Sequence, residues 1–299
     1  MRRRPMSLLL AAAFAVAGCG SEAASVSSTS EALIDASMPA TPVSSSSSTT
    51  SSTSTTSTTS TTLALPTEPC ERITAMVASA SPDTTQVVLV QVDEFSATTA
   101  TLRLVDRTGD GWSCGTEYSA RVGRNGVRPL LDRRSGDGTT PAGVFPLGVM
   151  TAWDGGTFSF FGNSPDPGVT AGAYRDVRTG DCFGATPNDP DYGHLVQRSQ
   201  ADCPGPDDEY LPKYTGAYEH AALIGANMEP NVSGDAPGET PYAAAIFLHR
   251  QSYDSGGASK PTAGCVSLRH DDLVEVLRAL RPGVRFAIGT EQWLLAGDW

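Results

Sequence analysis

The chain has 299 residues, and its 33 Asp and Glu outnumber its 21 Lys and Arg, for a net charge of -12. A nucleic-acid-binding protein would carry a cationic footprint, so this balance argues against that class. No apolar stretch beyond the N-terminus reaches the 18 residues that a spanning helix needs. None of the six Cys form a C-x-x-C pair, which excludes the common zinc and thioredoxin-like motifs.

The N-terminus has the pattern of an export signal. Three Arg at positions 2–4 precede an apolar run over residues 6–17, which is too short to span a membrane. The run ends in Val16-Ala17-Gly18-Cys19, which resembles a bacterial lipobox. We therefore predict a lipoprotein signal peptide at residues 1–18 and lipidation of Cys19. An ordinary signal peptide with an incidental Cys is the alternative. In the lipoprotein case the protein would be extracytoplasmic and held at the cell membrane by its lipid anchor alone.

A low-complexity segment follows. The 19 residues from Ser44 to Thr62 are all Ser or Thr, and such a tract has no apolar side chains to offset its ordering entropy. We interpret residues 19–66 as a disordered, lipid-anchored linker. Residues 67–299 would then form one folded domain.

The folded part is predicted to be mainly β. Apolar or alternating stretches at 86–92, 101–105, 117–122 and 284–288 predict strands, and 243–248 predicts a buried strand ending at His249. Residues 271–280 have helical spacing, with acidic residues in the first turn and Pro-Gly after the last. Residues 151–240 are rich in Gly, Pro, Asp and Asn, and we expect long, functional loops there.

The cysteine count leaves one thiol over. An exported protein can form disulfides, and once Cys19 is assigned to the lipid, four of the remaining Cys allow three pairings. Proximity in sequence favours Cys70 with Cys114 and Cys182 with Cys203. Cys265 is then unpaired, and it is either a buried inert residue or a reactive thiol.

The neighbours of Cys265 favour a reactive thiol. His249 lies 16 residues upstream at the end of a predicted strand, and a nearby imidazole is the usual activator of a Cys nucleophile. Gly264 allows a close approach of substrate, and its backbone N–H could stabilise an oxyanion.

These residues resemble the L,D-transpeptidase catalytic domain, or YkuD-type, family. The family has a strand His, a gap of roughly 14–18 residues, and then Ser/Thr-x-Gly-Cys with an aliphatic residue, here His249, Thr262, Gly264, Cys265 and Val266. The Gly turn at 123–126 and the Thr-Pro-x-Gly-x-Phe segment at 140–145 are also similar to the family. The resemblance runs from about residue 86 to 289 and implies a β-sandwich or barrel with a short C-terminal helix and long loops.

The resemblance implies cysteine acyl transfer on peptidoglycan stem peptides. Cys265 would be the nucleophile, His249 the general base and acid, and Gly264 a backbone oxyanion donor, with Thr262 and Arg269 binding substrate. A tetrapeptide stem would be the donor for 3→3 cross-links, carbapenem-type β-lactams would be covalent inhibitors, and no metal or cofactor would be needed.

Two positions depart from the family pattern and keep other functions open. Ala263 stands where members often have His, and Ser267 stands where many have Arg. The alternatives are an L,D-carboxypeptidase acting on the same stems, a non-catalytic cell-wall binding module of the same fold, and an unrelated thiol hydrolase.

Overall fold

The computed structural model describes residues 68–109, 111–203, 205 and 207–299. The predicted signal peptide at 1–18, the linker at 19–66 and the lipidation site Cys19 lie outside the described residues. None of the helices in the described ranges has the length and apolarity required to cross a bilayer.

The fold is mainly β, as predicted. The helices are α1 (Pro69–Ala80), α2 (His270–Ala279) and α3 (Glu291–Ala296). The first eight strands are β1 (Gln86–Val92), β2 (Thr99–Thr108), β3 (Gly111–Arg121), β4 (Val127–Pro129), β5 (Thr140–Pro146), β6 (Met150–Thr151), β7 (Thr157–Phe158) and β8 (Phe160–Gly162). The other eight are β9 (Tyr174–Asp176), β10 (Asp181–Phe183), β11 (Leu195–Gln197), β12 (Glu209–Tyr210), β13 (Ala221–Leu223), β14 (Phe247–Arg250), β15 (Val266–Leu268) and β16 (Val284–Thr290).

One large sheet organises the domain. Among the described residues, eleven strands follow the order β4-β5-β16-β1-β2-β3-β15-β14-β13-β8-β9. The central strand β1 is rich in Val and is buried along nearly its whole length. It pairs in parallel with β16 and antiparallel with β2. Side chains alternate across a strand, so β1 contributes to a core on each face of the sheet.

The two cores are covered by helices. On one face Val88 and Val90 share a core with Leu273 and Leu277 of α2. On the other, Val87 and Leu89 share a core with Ile73 of α1 and Leu294 of α3. Helix α1 was not predicted from the sequence, although Pro69 in its first turn and the acidic Glu71 are favourable start signals.

Residues 151–240 contain more regular structure than the predicted loops. Strands β6 to β13 have only two or three residues each, which is too short for a periodic pattern to emerge. Their apolar side chains, including Phe158, Phe161, Phe183 and Leu211, form a third core with Phe247 and Cys265. The region therefore packs directly against the strand that precedes the free cysteine.

The cysteine pairing agrees with the prediction. The structure contains the Cys70–Cys114 and Cys182–Cys203 disulfides, and the first ties α1 to β3. Cys265 is free and buried.

Candidate active site

The predicted base lies on one of two adjacent strands, and the predicted nucleophile directly precedes the other. Strand β14 runs parallel to β15, with Leu248 opposite Val266 and His249 opposite Ser267. Cys265 immediately precedes β15, and its Sγ accepts the backbone N–H of Phe247 at 3.4 Å. Residues 251–265 thus form the connection between these two parallel neighbours.

The cysteine sulfur is held between two backbone groups of the segment that leads into β14. Besides accepting the Phe247 N–H, Cys265 Sγ donates to the carbonyl oxygen of Ala245 at 3.1 Å. Ala245 has a φ of 53°, in the left-handed region that costs a non-glycine residue about 1–2 kcal/mol. This turn is why β14 begins only at Phe247, whereas the sequence predicted a strand from residue 243.

Two threonine hydroxyls fix the backbone of Cys265. Thr262 Oγ1 and Thr140 Oγ1 donate to the carbonyl oxygen of Cys265, at 2.6 and 3.1 Å. Thr262 was predicted to contact substrate, but in this structure its hydroxyl holds the cysteine loop. It also accepts the Gly264 N–H at 3.1 Å, so the predicted oxyanion donor is already engaged. The Cys265 N–H donates to no acceptor in the described part of the chain.

His249 is held in one tautomer. Its Nδ1 lies 2.7 Å from the carbonyl oxygen of Arg250, and a carbonyl can only accept, so Nδ1 carries the hydrogen in the neutral ring. Nε2 is then the nitrogen with the free lone pair. The ring packs edge to face against Tyr218, with 5.5 Å between centroids. Tyr218 also packs against Phe247, so the imidazole faces the same apolar core that holds Cys265.

Burial keeps both reactive groups neutral. It lowers the pKa of His249 to about 4, and the bond to the Arg250 carbonyl opposes this only in part. Burial raises the pKa of the Cys265 thiol to about 12, and the negative charge of Glu209 adds to that shift. The Phe247 N–H and the positive charge of Arg133 oppose it. Near pH 7 the resting site therefore holds a thiol and an uncharged imidazole.

A cavity of about 100 Å³ opens beside the sulfur and contains residues that the sequence analysis missed. It is lined by Cys265, Gly264, Arg133, Asp207 and Glu209, together with neighbouring residues. Arg133 lies just before the Gly-Asp-Gly segment at 136–138, which could have drawn attention to it. Glu209 belongs to the short-stranded region 151–240, where no motif marks individual residues.

Tyr218 is a further unpredicted residue of the site. Its hydroxyl donates to Glu209 Oε2, and its ring contacts both Phe247 and His249. It thereby links the cavity carboxylate to the imidazole. No sequence motif pointed to this residue.

Arg269, which was predicted to bind substrate, is not among the residues that line the cavity. It is exposed and precedes the first residue of α2. Ser267, which stands where many family members have Arg, is almost fully buried on β15. In the described ranges no three His, Cys, Asp or Glu side chains are grouped so that they could hold a metal ion.

The neutral state of the thiol gives a testable pH dependence. A thiol with a pKa near 12 should react with iodoacetamide about tenfold faster for each pH unit gained up to at least pH 10, because only the thiolate attacks. Glu209→Gln should raise the rate at pH 8, because it removes a charge that disfavours the thiolate. Glu117→Gln, on an exposed position of β3, is the control. A plateau of the wild-type rate below pH 7 would contradict the assignment, since it would indicate a preformed thiolate.

Comparison with known proteins identifies the family. Residues 98–288, well over half of the chain, match the family described as the L,D-transpeptidase catalytic domain (YkuD). No curated protein and no solved structure matches the chain. The matched range contains β3, β14 and β15, the strands around the free thiol. Together with the mainly β fold, this match shows that the chain belongs to the L,D-transpeptidase catalytic domain family.

Proposed function

We propose that the protein is a peptidoglycan L,D-transpeptidase that forms 3→3 cross-links through an acyl-enzyme on Cys265. The family acts on peptidoglycan peptides and is inhibited by carbapenems, and the same substrates and inhibitors are proposed here. The observation that carries the proposal is the arrangement of Cys265 and His249. A free thiol is held on the backbone of the strand that bears a neutral histidine, and that histidine has Nε2 available.

In the first half-reaction the thiol attacks the carbonyl carbon of the third stem residue. As the S–C bond forms, His249 Nε2 takes the thiol proton, because an imidazole with a low pKa is unprotonated and ready to accept. The tetrahedral intermediate then breaks its C–N bond to the terminal D-Ala. His249 returns the proton to the departing amine, which leaves a thioester on Cys265.

In the second half-reaction an amine from another stem attacks the thioester carbonyl. His249 takes a proton from this amine, the new C–N bond forms, and the C–S bond breaks. The sulfur leaves as a thiolate and recovers its proton from His249. Water in place of the amine would give the carboxypeptidase outcome by the same steps.

Backbone donors near the nucleophile are proposed to stabilise the oxyanion. The Cys265 N–H has no acceptor in the described part of the chain, so it is free to donate to the developing charge. The Gly264 N–H would first have to leave the Thr262 hydroxyl. One such donor typically contributes about 3–4 kcal/mol to lowering the barrier.

Carbapenem labelling tests the roles of Cys265 and His249. Ring opening on a thiol adds the whole drug, so the wild-type mass should rise by the mass of the carbapenem, and Cys265→Ala should show no increase. His249→Gln should slow the reaction by about 10²–10⁴-fold, because the base is lost. His194→Gln is the matched control, since His194 pairs with Glu229 and does not line the cavity.

An adduct that persists in Cys265→Ala would contradict the assignment. With tetrapeptide stems, a cross-linked dimer supports the transpeptidase and a tripeptide alone supports the carboxypeptidase. If wild type forms no adduct and Cys265→Ala binds peptidoglycan equally well, the binding-module alternative is correct.

We also propose that the protein works outside the cytoplasm as a lipoprotein. The lipobox-like sequence ending at Cys19 supports this, and so do the two disulfides of the folded domain, which are typical of an oxidising compartment.

Replacement of the lipidation site tests the anchor. Cys19→Ser should move the protein from the membrane fraction to the soluble extracytoplasmic fraction, because the diacyl group supplies the proposed attachment. Fractionation followed by immunoblotting measures this. Equal membrane retention of the variant and wild type would refute the anchor.

A further inference from the structure

A carboxylate outside the cavity is tied to the residue that orients His249. Arg250 is the last residue of β14, and its carbonyl oxygen accepts the hydrogen bond from His249 Nδ1 at 2.7 Å. The side chain of the same arginine donates from Nη1 to Glu219 Oε2 at 2.6 Å. Glu219 is not among the residues that line the cavity beside Cys265. Any effect of Glu219 on the reaction would therefore pass through other residues.

Arg250 connects the two faces of the sheet. Side chains alternate along a strand, so the Arg250 side chain lies on the face opposite the His249 ring. Leu248, which shares that face with Arg250, packs in the core to which α2 contributes. The carbonyl oxygen of Arg250 nevertheless contacts the imidazole. An anchor on the guanidinium therefore restrains the carbonyl that holds Nδ1.

The segment that precedes β13 contacts this part of β14 at three consecutive residues. The Arg250 N–H donates to the carbonyl oxygen of Ala217 at 3.2 Å. The Tyr218 ring packs against the His249 ring, and Glu219 supplies the carboxylate for the guanidinium. A carbonyl, a ring and a charge from one short segment thus hold both the proposed base and the residue that orients it.

The carboxylate of Glu219 has a second neighbour. Its Oε1 lies 3.4 Å from Nε2 of His270, the first residue of α2. The two oxygens of Glu219 therefore contact β14 and α2. The side chains of Glu219 and Arg250 are 23% and 38% exposed, and a partly exposed ion pair contributes little to global stability. Loss of the pair should therefore change the local geometry without unfolding the domain.

We propose that Glu219 is a positioning residue for His249, which acts by holding Arg250 so that its carbonyl keeps the hydrogen on Nδ1. This inference rests on the proposed function and adds to it a residue that does not touch the substrate. Without the carboxylate the Arg250 side chain is released, and the hydrogen bond to Nδ1 weakens. The imidazole then also populates the tautomer with its hydrogen on Nε2, and that nitrogen can no longer accept the thiol proton.

Isosteric replacement of Glu219 tests this role with two measurements. The ring ¹⁵N chemical shifts of His249 at neutral pH report the tautomer. The maximal rate constant of carbapenem acylation and its half-saturating concentration report the chemistry and the binding. Glu219→Gln should move both ring shifts toward values averaged over the two tautomers and lower the maximal rate constant about tenfold, because a displaced catalytic group loses rate. The half-saturating concentration should not change, because Glu219 does not line the cavity.

A matched control removes the carboxylate of another ion pair. Asp83 contacts Arg285 at 2.9 Å, and Arg285 lies on β16, which four strands separate from β14 in the sheet. Asp83→Asn should leave the ¹⁵N shifts of His249 and the acylation kinetics unchanged.

A double variant tests whether Glu219 acts through Arg250. Arg250→Gln should reproduce both effects of Glu219→Gln, and it decides the proposal if Glu219→Gln does not fold. The two changes together should lower the maximal rate constant no further than either change alone, because they remove the same interaction. Effects that multiply in the double variant would overturn the route through Arg250.

The outcomes separate this proposal from the proposed function. If Glu219→Gln keeps the wild-type ¹⁵N shifts, the positioning role is overturned whatever happens to the rate, because a purely structural loss of activity leaves the tautomer unchanged. The transpeptidase chemistry then still stands. If wild type forms no carbapenem adduct, the proposed function fails, and the ¹⁵N shifts still decide whether Glu219 sets the tautomer of His249.

Discussion

The parallel pairing of β14 with β15 is the constraint on which the site depends. It places Cys265 beside the start of β14, so that the Phe247 N–H and the Ala245 carbonyl together hold the sulfur. Because the same strand carries His249 two residues after Phe247, the proposed base faces the core into which the thiol is packed. Displacement of β14 would therefore affect the proposed nucleophile and the proposed base at once.

The environment that positions these groups also keeps them uncharged. Burial favours the thiol over the thiolate and the imidazole over the imidazolium, so the resting site is not an ion pair. In the proposed mechanism, activation of the thiol accompanies attack on the substrate, when the proton passes to Nε2. The negative charge of Glu209 raises the pKa of the Cys265 thiol, and the positive charge of Arg133 lowers it.

The sequence predicted those features that follow from residue counts or from hydrophobic periodicity. Counting the cysteines isolated Cys265, and the pairing of the other four agrees with the structure. The run of Val around residue 88 and the helical spacing of 271–280 identified a central strand and the helix α2. These signals are strong because burial imposes periodicity on a regular element.

The rest of the site depends on tertiary contacts that leave no local pattern. Glu209 and Tyr218 come from a region whose strands are too short to show a period, and they meet His249 only through packing. The strand predicted from residue 243 begins at residue 247, because the backbone at Ala245 has a positive φ and its carbonyl oxygen accepts a hydrogen bond from the sulfur. The pKa values of Cys265 and His249 follow from the burial of these side chains, and the order of residues in the sequence does not specify that burial.

The protonation state of His249 tests the account most directly. The ring ¹⁵N chemical shifts of His249, assigned by comparison with His249→Gln, can be followed from pH 3 to pH 8. The account predicts a neutral ring with the hydrogen on Nδ1 throughout the neutral range, and protonation only near pH 4. An imidazolium that persists at pH 7 would show a preformed thiolate–imidazolium pair and contradict the account.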